Sequence, residues 1–237
     1  MEAPPLDRTQ VHVWTVSLLT ENDALSDACV ELAPDERARA ERFRTSQLRR
    51  RFIAARVFLR RLLAAYGPVD GSAHAIGYGT NGKPHLISTS NLRFNVSHAD
   101  DAAIYAIASG REVGIDIEAT ARDVDIDGVA RQAFSPLECE ALTALAPDAR
   151  REAFFRIWTR KEAYVKARGE GLSYPTRSFS VSHRANDDAL IGDERDGHAR
   201  HRWRVIGLDA PPGFAAALTA EGHDWTVLRF DATGLPS

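Results

Sequence analysis

The stretch from residue 150 to residue 168 contains neither proline nor glycine, and Gly169 follows it directly. This composition predicts a long helix that stops at the glycine. Trp158, Glu162 and Lys166 are spaced four residues apart, so their side chains lie on one face of that helix. A carboxylate and an ammonium one turn apart can serve in acid/base chemistry or form a salt bridge worth about 0.2–0.5 kcal/mol. The helix alone favours the salt bridge, so the rest of the chain must decide between the two.

The bulk composition indicates a globular protein. The chain has 237 residues, of which 44% are hydrophobic and 27% are charged, which is enough for one large domain or two small ones and excludes general disorder. The net charge of −3 gives no general affinity for nucleic acid, so any phosphate site must be a local cluster of Lys and Arg. No apolar run is long enough to span a membrane.

The cysteines and the first residues predict a cytoplasmic protein. Cys29 and Cys139 match no metal-ligand spacing, and we interpret them as two small buried side chains. A chain without a disulfide framework fits a reducing cytosol. The early acids and prolines, with no apolar segment between them, predict no signal peptide; they are Glu2, Pro4, Pro5 and Asp7.

The first third of the chain predicts one strand and two helices. Alternating branched and aromatic residues predict a strand at 11–18. Pro34 opens a helix that ends near Phe43, and a second helix runs from Ser46, its predicted cap, to Tyr66, before Gly67-Pro68. The second helix carries six arginines: Arg49, Arg50, Arg51, Arg56, Arg60 and Arg61. They form either a solvated face or a phosphate-binding cluster, and we favour the cluster for some of them.

The segment Gly77–Gly82 fits the glycine pattern of dinucleotide-binding loops. That fingerprint requires a helix to begin there, and Pro84 moves Lys83 out of the helical region instead. The sequence therefore predicts a turn followed by an extended segment, where Lys83 can still contact a ligand.

A short acidic segment carries the clearest sign of a metal site. The sequence predicts strands at 93–98, 102–108 and 112–118. In a strand, Ile115 and Ile117 share one face while Asp116 and Glu118 share the other. Two carboxylates on one face of a central strand repel each other unless they are neutralised. A bound hard cation, Mg²⁺ or Mn²⁺, would neutralise them with all-oxygen ligands.

The remaining segments carry fewer signals. Residues 120–128 resemble a calcium loop, but Phe134 occupies the position of the bidentate acid, so we predict an exposed acidic loop. A short helix opens at Pro136. The polar segment 184–200 predicts a mobile loop or the tip of a hairpin. Four strands follow Gly171, at 179–181, 201–208, 214–220 and 225–230. A strand, helices and short strands fill 1–110 and again 111–237, which predicts two similar α+β halves.

Two separated motifs resemble a known family. Gly114–Glu118, followed about forty residues later by Trp158–Lys166, is similar to the signature pair of the Sfp-type 4′-phosphopantetheinyl transferases. Three further segments resemble family elements in the same order: Gly82–Pro84, Phe94–His98 and Gly169–Leu172. The chain departs from the pattern at Ala99, where the family has serine.

The resemblance implies an activity and a fold. Family members move the phosphopantetheine arm of coenzyme A onto a serine of an apo acyl or peptidyl carrier protein, with Mg²⁺, and release 3′,5′-ADP. Their fold is α+β, with two similar halves related by pseudo-twofold symmetry and the active site in the cleft between them. The expected halves here are residues 1–110 and 111–237. The resemblance also implies a monomer. The net charge and the lack of a long apolar run predict neither nucleic acid nor a membrane as partner.

The resemblance also assigns roles to individual residues. Glu162 would be the base that deprotonates the carrier serine, and Lys166 would neutralise or protonate the leaving phosphate. The expected metal ligands are Asp116, Glu118 and Glu162. The expected coenzyme A contacts are Arg39, Arg51, Lys83, Pro84, Ser97, His98 and Lys166. Glu36 stands where the family has a lysine, and the neighbouring Arg37 could compensate.

Two alternatives come from other functional classes. A metal-dependent nuclease would need a lysine two residues after the second acid, and Thr120 occupies that position. A non-catalytic module that binds coenzyme A or a carrier protein would not need the full set of acids and Lys166. Trp158 is interpreted as core packing. Lys161 stays ambiguous, since a lysine on a helix surface needs no special explanation. The sequence leaves open whether the carrier belongs to fatty acid, polyketide, nonribosomal peptide or lysine metabolism.

Overall fold

The computed structural model describes residues 3–19, 25, 28–67, 75–87, 90–185 and 188–232. The helices are α1 (Pro34–Glu41), α2 (Ser46–Tyr66), α3 (Ile126–Ala133), α4 (Pro136–Thr143), α5 (Pro147–Arg168) and α6 (Ala199–Arg202). The strands are β1 (Gln10–Ser17), β2 (Ile76–Tyr78), β3 (Pro84–Leu86), β4 (Leu92–Ala99), β5 (Ala102–Ser109), β6 (Val113–Ala119), β7 (Phe179–Val181), β8 (Leu190–Asp193), β9 (Trp203–Leu208), β10 (Phe214–Glu221) and β11 (Thr226–Ala232). No helix among these residues is long and apolar enough to cross a membrane.

The two halves of the chain repeat one topology. The first sheet has the order β11-β1-β5-β4, and the second has the order β6-β10-β9. In each half the opening strand pairs antiparallel with the last strand of a hairpin, β1 with β5 and β6 with β10. A long helix and a two-stranded hairpin, β2-β3 or β7-β8, lie between those strands in the chain. The prediction of an α+β fold with two similar halves is confirmed.

The last strand belongs to the sheet of the first half. β11 pairs parallel with β1, with Gln10 opposite Thr226 and Val16 opposite Ala232. The carboxyl-terminal end of the chain therefore completes the amino-terminal sheet. The division into 1–110 and 111–237 stays a prediction. In the structure, β11 comes from the second part of the chain but pairs with β1 of the first.

The halves meet along β4 and β6. The buried Asn95 side chain of β4 accepts a hydrogen bond at 2.9 Å from the backbone nitrogen of Ile115 in β6. Ile115 and Ile117 lie in a buried cluster with Ile104 of the first sheet and Leu218 of the second. This shared core places the polar face of β6 beside the end of β4.

Helix caps correct several details of the sequence prediction. Helix α2 has the predicted bounds, but its cap is Thr45, whose hydroxyl accepts a hydrogen bond from the Leu48 nitrogen. Helix α3 was not predicted: Asp125, in the exposed acidic segment, accepts a hydrogen bond at 2.9 Å from the Gly128 nitrogen and caps it. Such side-chain caps are the reason that aspartates precede helices.

The polar segment 184–200 is a hairpin tip that continues into regular structure. β7 and β8 pair antiparallel, and α6 begins at Ala199, so a mobile loop throughout is wrong. Several predicted positions lie outside the described residues: 186–187, Glu2 and Pro68. The two cysteines are free and half-buried rather than fully buried.

Arginines of α2 neutralise carboxylates of the protein itself. Glu36 is 3% exposed and accepts hydrogen bonds from Arg56 Nε at 2.8 Å and Arg60 Nε at 2.6 Å. Arg61 pairs with Glu31 at 2.6 Å. In this structure these three arginines therefore neutralise carboxylates of the protein. Glu36 also accepts a hydrogen bond from the backbone nitrogen of Ala33. This bond stabilises the start of α1.

A buried ion pair joins α5 to α4 and β7. Lys161 is 2% exposed, and its Nζ donates to both oxygens of Glu138, at 2.8 and 2.7 Å, and to the Phe179 carbonyl at 2.7 Å. Glu138 also accepts hydrogen bonds from the backbone nitrogens of Ser135 and Val181. The structure resolves the ambiguity of Lys161: it is not a surface lysine but joins α4, α5 and β7.

Replacing Lys161 with Met should lower the free energy of unfolding by about 3–5 kcal/mol, since Glu138 would remain buried without its counter-ion. Chemical denaturation of the purified variant measures this difference. Arg156→Met is the matched control, because Arg156 forms an exposed ion pair with Glu152 on the same helix and such pairs contribute about 0.3–0.5 kcal/mol. An equal, small loss in both variants would contradict a structural role for Lys161.

Candidate active site

Strand β6 and helix α5 touch at the backbone level. A Cβ atom on Gly114 would lie 2.1 Å from the Ala163 oxygen and 2.2 Å from the Ala167 nitrogen. Only glycine allows this approach, because real Cβ atoms do not come within 3.0 Å of such neighbours. The contact brings the polar face of β6, which follows Gly114, against the face of α5 that carries Lys166.

Asp116, Lys166 and Ser97 form one hydrogen-bonded group from three elements. Lys166 Nζ lies 2.6 Å from Asp116 Oδ1 and 3.0 Å from Ser97 Oγ. The Ser97 hydroxyl donates to the same Asp116 oxygen at 2.8 Å. Lys166 thus pairs across the cleft with β6. The pair with Glu162, which the helix alone favours, is absent from the part of the chain that the structure describes.

The second oxygen of Asp116 is buried without a hydrogen-bond partner among the described residues. Asp116 is 3% exposed, and burial raises its pKa despite the opposing charge of Lys166 and the hydrogen bond from Ser97. An unsatisfied carboxylate oxygen costs free energy in the interior. A cation at this oxygen would remove that cost.

Glu118 and Glu162 share the same electrostatic environment. Burial raises the pKa of Glu118, and the charge of Asp116 raises it further. Burial also raises the pKa of Glu162, with further contributions from Asp116 and Glu118. The three predicted metal ligands are therefore close enough to repel one another.

These residues fit a hard cation in their chemistry. They offer oxygen donors alone, as Mg²⁺ prefers, and one of the oxygens lacks any partner in the described chain. Among the described residues, no three Asp, Glu, His or Cys side chains are already arranged as a metal site.

The raised pKa of Glu162 predicts a pH-dependent stability. In the metal-free protein the folded state holds the Glu162 proton more tightly than the unfolded state, so stability falls as the pH rises above about 4.5, the ordinary pKa of a glutamate. Glu162→Gln removes this penalty. Its Tm in EDTA should exceed that of the wild type at pH 7.5 and match it below about pH 4. A lower Tm at pH 7.5 would contradict the electrostatic account.

Cations gather beside the acids at the end of β4. His98 is exposed in the cleft, yet desolvation by the surrounding protein lowers its pKa, and the charges of Lys166, Arg39 and Arg51 lower it further. Arg51 Nε donates to Asp101 at 2.7 Å, and Arg39 lies 5.2 Å from the Phe52 ring centre. This group of cations next to a carboxylate cluster can bind an anion.

Lys83 and Pro84 line a separate part of the cleft. They border a cavity of about 560 Å³ whose wall includes the predicted turn and residues of both halves: Gly79, Thr80, Phe94, Glu112 and Gly169. Lys83 Nζ donates to Glu112 at 2.6 Å and to the Ala167 carbonyl at 2.8 Å. The cavity is large enough for a nucleoside.

Sequence reasoning missed two residues of this cavity. Glu112 accepts hydrogen bonds from both Lys83 and Arg93, and neither Glu112 nor Arg93 belongs to the family-like motifs. The only signal was the position of Glu112 just before β6. Trp158 is partly buried as predicted, stacks on Phe154 and also lines a small pocket with Glu118.

Two family models together match most of the chain. Residues 112–219 match the model described as the 4′-phosphopantetheinyl transferase superfamily. Residues 20–110 match the model described as 4′-phosphopantetheinyl transferase, N-terminal. The two matches meet at the boundary between the two halves of the repeated topology.

Similar proteins carry the same description. The 4′-phosphopantetheinyl transferase HetI of Nostoc is 38% identical over 219 residues, which cover 91% of this chain and 90% of HetI. A 4′-phosphopantetheinyl transferase of Bacillus subtilis is 34% identical, covering 82% of this chain and 84% of the relative. The 4′-phosphopantetheinyl transferase Sfp of Bacillus subtilis is 29% identical with the same coverage, 82% and 84%.

Proposed function

This chain belongs to the 4′-phosphopantetheinyl transferase superfamily, and we propose that the cleft between its halves transfers the phosphopantetheine arm of coenzyme A to a serine of an apo carrier protein. The observation that carries the proposal is the group of Asp116, Lys166 and Ser97, with Glu118 and Glu162 beside it. Acids and cations meet there at the join of β4, β6 and α5.

The reaction replaces the phosphoanhydride bond of coenzyme A with a new phosphate ester to serine. The serine oxygen attacks the phosphorus that carries pantetheine, and the bond from that phosphorus to the bridging oxygen breaks. The serine proton passes to the Glu162 carboxylate, which would act as the general base. Lys166 stabilises the charge that develops on the leaving phosphate of 3′,5′-ADP.

Asp116, Glu118 and Glu162 would hold Mg²⁺. When bound, the ion would neutralise pyrophosphate oxygens and stabilise charge in the transition state. Mn²⁺ is a second candidate, because it also accepts oxygen ligands. The unpaired Asp116 oxygen supports this proposal.

The remaining predicted residues divide between two parts of coenzyme A. Arg39, Arg51, Ser97 and His98 surround the place proposed for the phosphates, which is supported by the charges that act together on His98. Lys83 and Pro84 border the cavity proposed for the adenine.

An exposed basic surface at the start of α2 is proposed to receive the carrier protein. Arg42, Arg44 and Arg49 are exposed there, next to Leu48, which is 45% exposed. Carrier proteins are usually acidic, so charge attraction would guide them to this surface. We further propose that the protein acts as a monomer in the cytoplasm.

The proposed function is tested by following both products of coenzyme A. Incubation with Mg²⁺ and an apo carrier should release one 3′,5′-ADP for each carrier modified, and EDTA should stop the release until Mg²⁺ is restored. Release that continues in EDTA would contradict the metal assignment. Tight coenzyme A binding without release, for several carriers, would indicate a non-catalytic binding module.

A further inference from the structure

The turn between β2 and β3 forms hydrogen bonds to the carboxyl end of α5. Asn81 Nδ2 donates to the Gly169 carbonyl at 3.1 Å, and Lys83 Nζ donates to the Ala167 carbonyl at 2.8 Å. The last carbonyls of a helix have no partner within it and carry the negative end of its dipole. An amide and an ammonium from the other half of the molecule supply the missing partners.

Two glycines make this close approach possible. Gly169 has φ +71°, and a Cβ there would lie 3.2 Å from Lys83 Cδ. Gly171 has φ +57°, and a Cβ there would lie 3.1 Å from Asn81 Cβ and 3.2 Å from the Asn81 carbonyl oxygen. Both backbone conformations favour glycine. The tail after α5 is therefore shaped to receive the turn.

The ammonium of Lys83 is committed to protein partners. It also lies 2.6 Å from Glu112 Oε2, and the Lys83 side chain is 17% exposed. Two short charge-assisted contacts hold the group toward the helix and the Glu112 carboxylate. Lys83 can still form the cavity wall, but its charge serves α5.

We propose that Asn81 and Lys83 are positioning residues, which clasp the end of α5 and thereby hold Lys166 at the reacting phosphate. This inference rests on the proposed function. Lys166 precedes Ala167 directly. A hydrogen bond from Lys83 to the Ala167 carbonyl therefore fixes the backbone beside the residue that carries the catalytic ammonium. Gly79 and Thr80 of the turn and Gly169 of the helix end line one cavity. A nucleotide in that cavity touches both sides of the clasp, which couples its binding to the placement of Lys166.

Hydrogen exchange tests the clasp without any need for activity. In the metal-free and ligand-free protein, the double variant Asn81→Ala/Lys83→Met should exchange the amide protons of residues 165–169 faster than the wild type. Arg111→Gln is the matched control. Arg111 also bridges the halves, through hydrogen bonds to the Arg8 and Glu221 carbonyls, but those bonds involve no residue of α5. The control should leave exchange in residues 165–169 unchanged.

Steady-state kinetics then separates positioning from ligand binding. The double variant should lose about tenfold or more in kcat, as small misplacements of catalytic groups do, while KM for coenzyme A changes less than kcat. A raised KM with kcat and exchange both unchanged would overturn the proposal and make Lys83 a coenzyme A ligand. If the wild type itself transfers nothing, the proposed function fails, and the exchange result still decides whether the clasp exists.

Discussion

Glu162→Gln should slow transfer to the carrier by about 10²–10⁴-fold, the usual contribution of a general base. The amide keeps the shape of the side chain but cannot accept the serine proton. It also removes one of three carboxylates proposed to hold the metal. Single-turnover measurements of carrier modification at saturating Mg²⁺ and coenzyme A report this loss directly.

The control for Glu162→Gln lies two turns or more away on the same helix. Glu152→Gln changes an exposed side chain that pairs only with Arg156 among the described residues, and it should transfer at the wild-type rate. The Glu162 variant must also remain folded, which its higher Tm in EDTA would establish. A folded Glu162→Gln protein with wild-type turnover would exclude Glu162 as the base.

Gly114→Ala should have the second large effect, because it forces β6 and α5 apart. The added Cβ would lie 2.1 Å from the Ala163 oxygen, and the backbone of both elements must move to accommodate it. Overpacking of this kind costs about 1–3 kcal/mol of folding free energy. A displacement of about 1 Å between Asp116 and Lys166 would reduce kcat by about 10²-fold.

Gly192→Ala is the matched control for this prediction. Gly192 also lies in a strand, but a Cβ there would have nothing within 4 Å, so activity and stability should remain close to those of the wild type. Activity at the wild-type level in Gly114→Ala would show that the strand and helix need not touch for the site to work.

Local signals predicted the elements that build the cleft. The glycine-free stretch ending at Gly169 is α5, and alternation around Asp116 did predict β6. Pro84 correctly excluded a dinucleotide-binding helix, because β2 and β3 form a hairpin there. These features depend on residues near one another in sequence, where steric rules act directly.

Contacts between distant segments could not be predicted in the same way. The partner of Lys166 is Asp116, fifty residues away, although Glu162 stands one turn before it on the helix. Lys161 is buried because Glu138 and Phe179 enclose it, which no helical pattern shows. Likewise, Glu36 departs from the family pattern but accepts hydrogen bonds from Arg56 and Arg60 of α2. Each pairing depends on how α5 or α2 packs in three dimensions.

The most direct measurement is the intact mass of an apo carrier protein after incubation with this protein, coenzyme A and Mg²⁺. The account predicts a gain of one phosphopantetheine, absent when the acceptor serine of the carrier is replaced by alanine and absent in EDTA. No gain in several apo carriers, for a protein that is folded and binds Mg²⁺, would contradict the central claim that this cleft transfers phosphopantetheine.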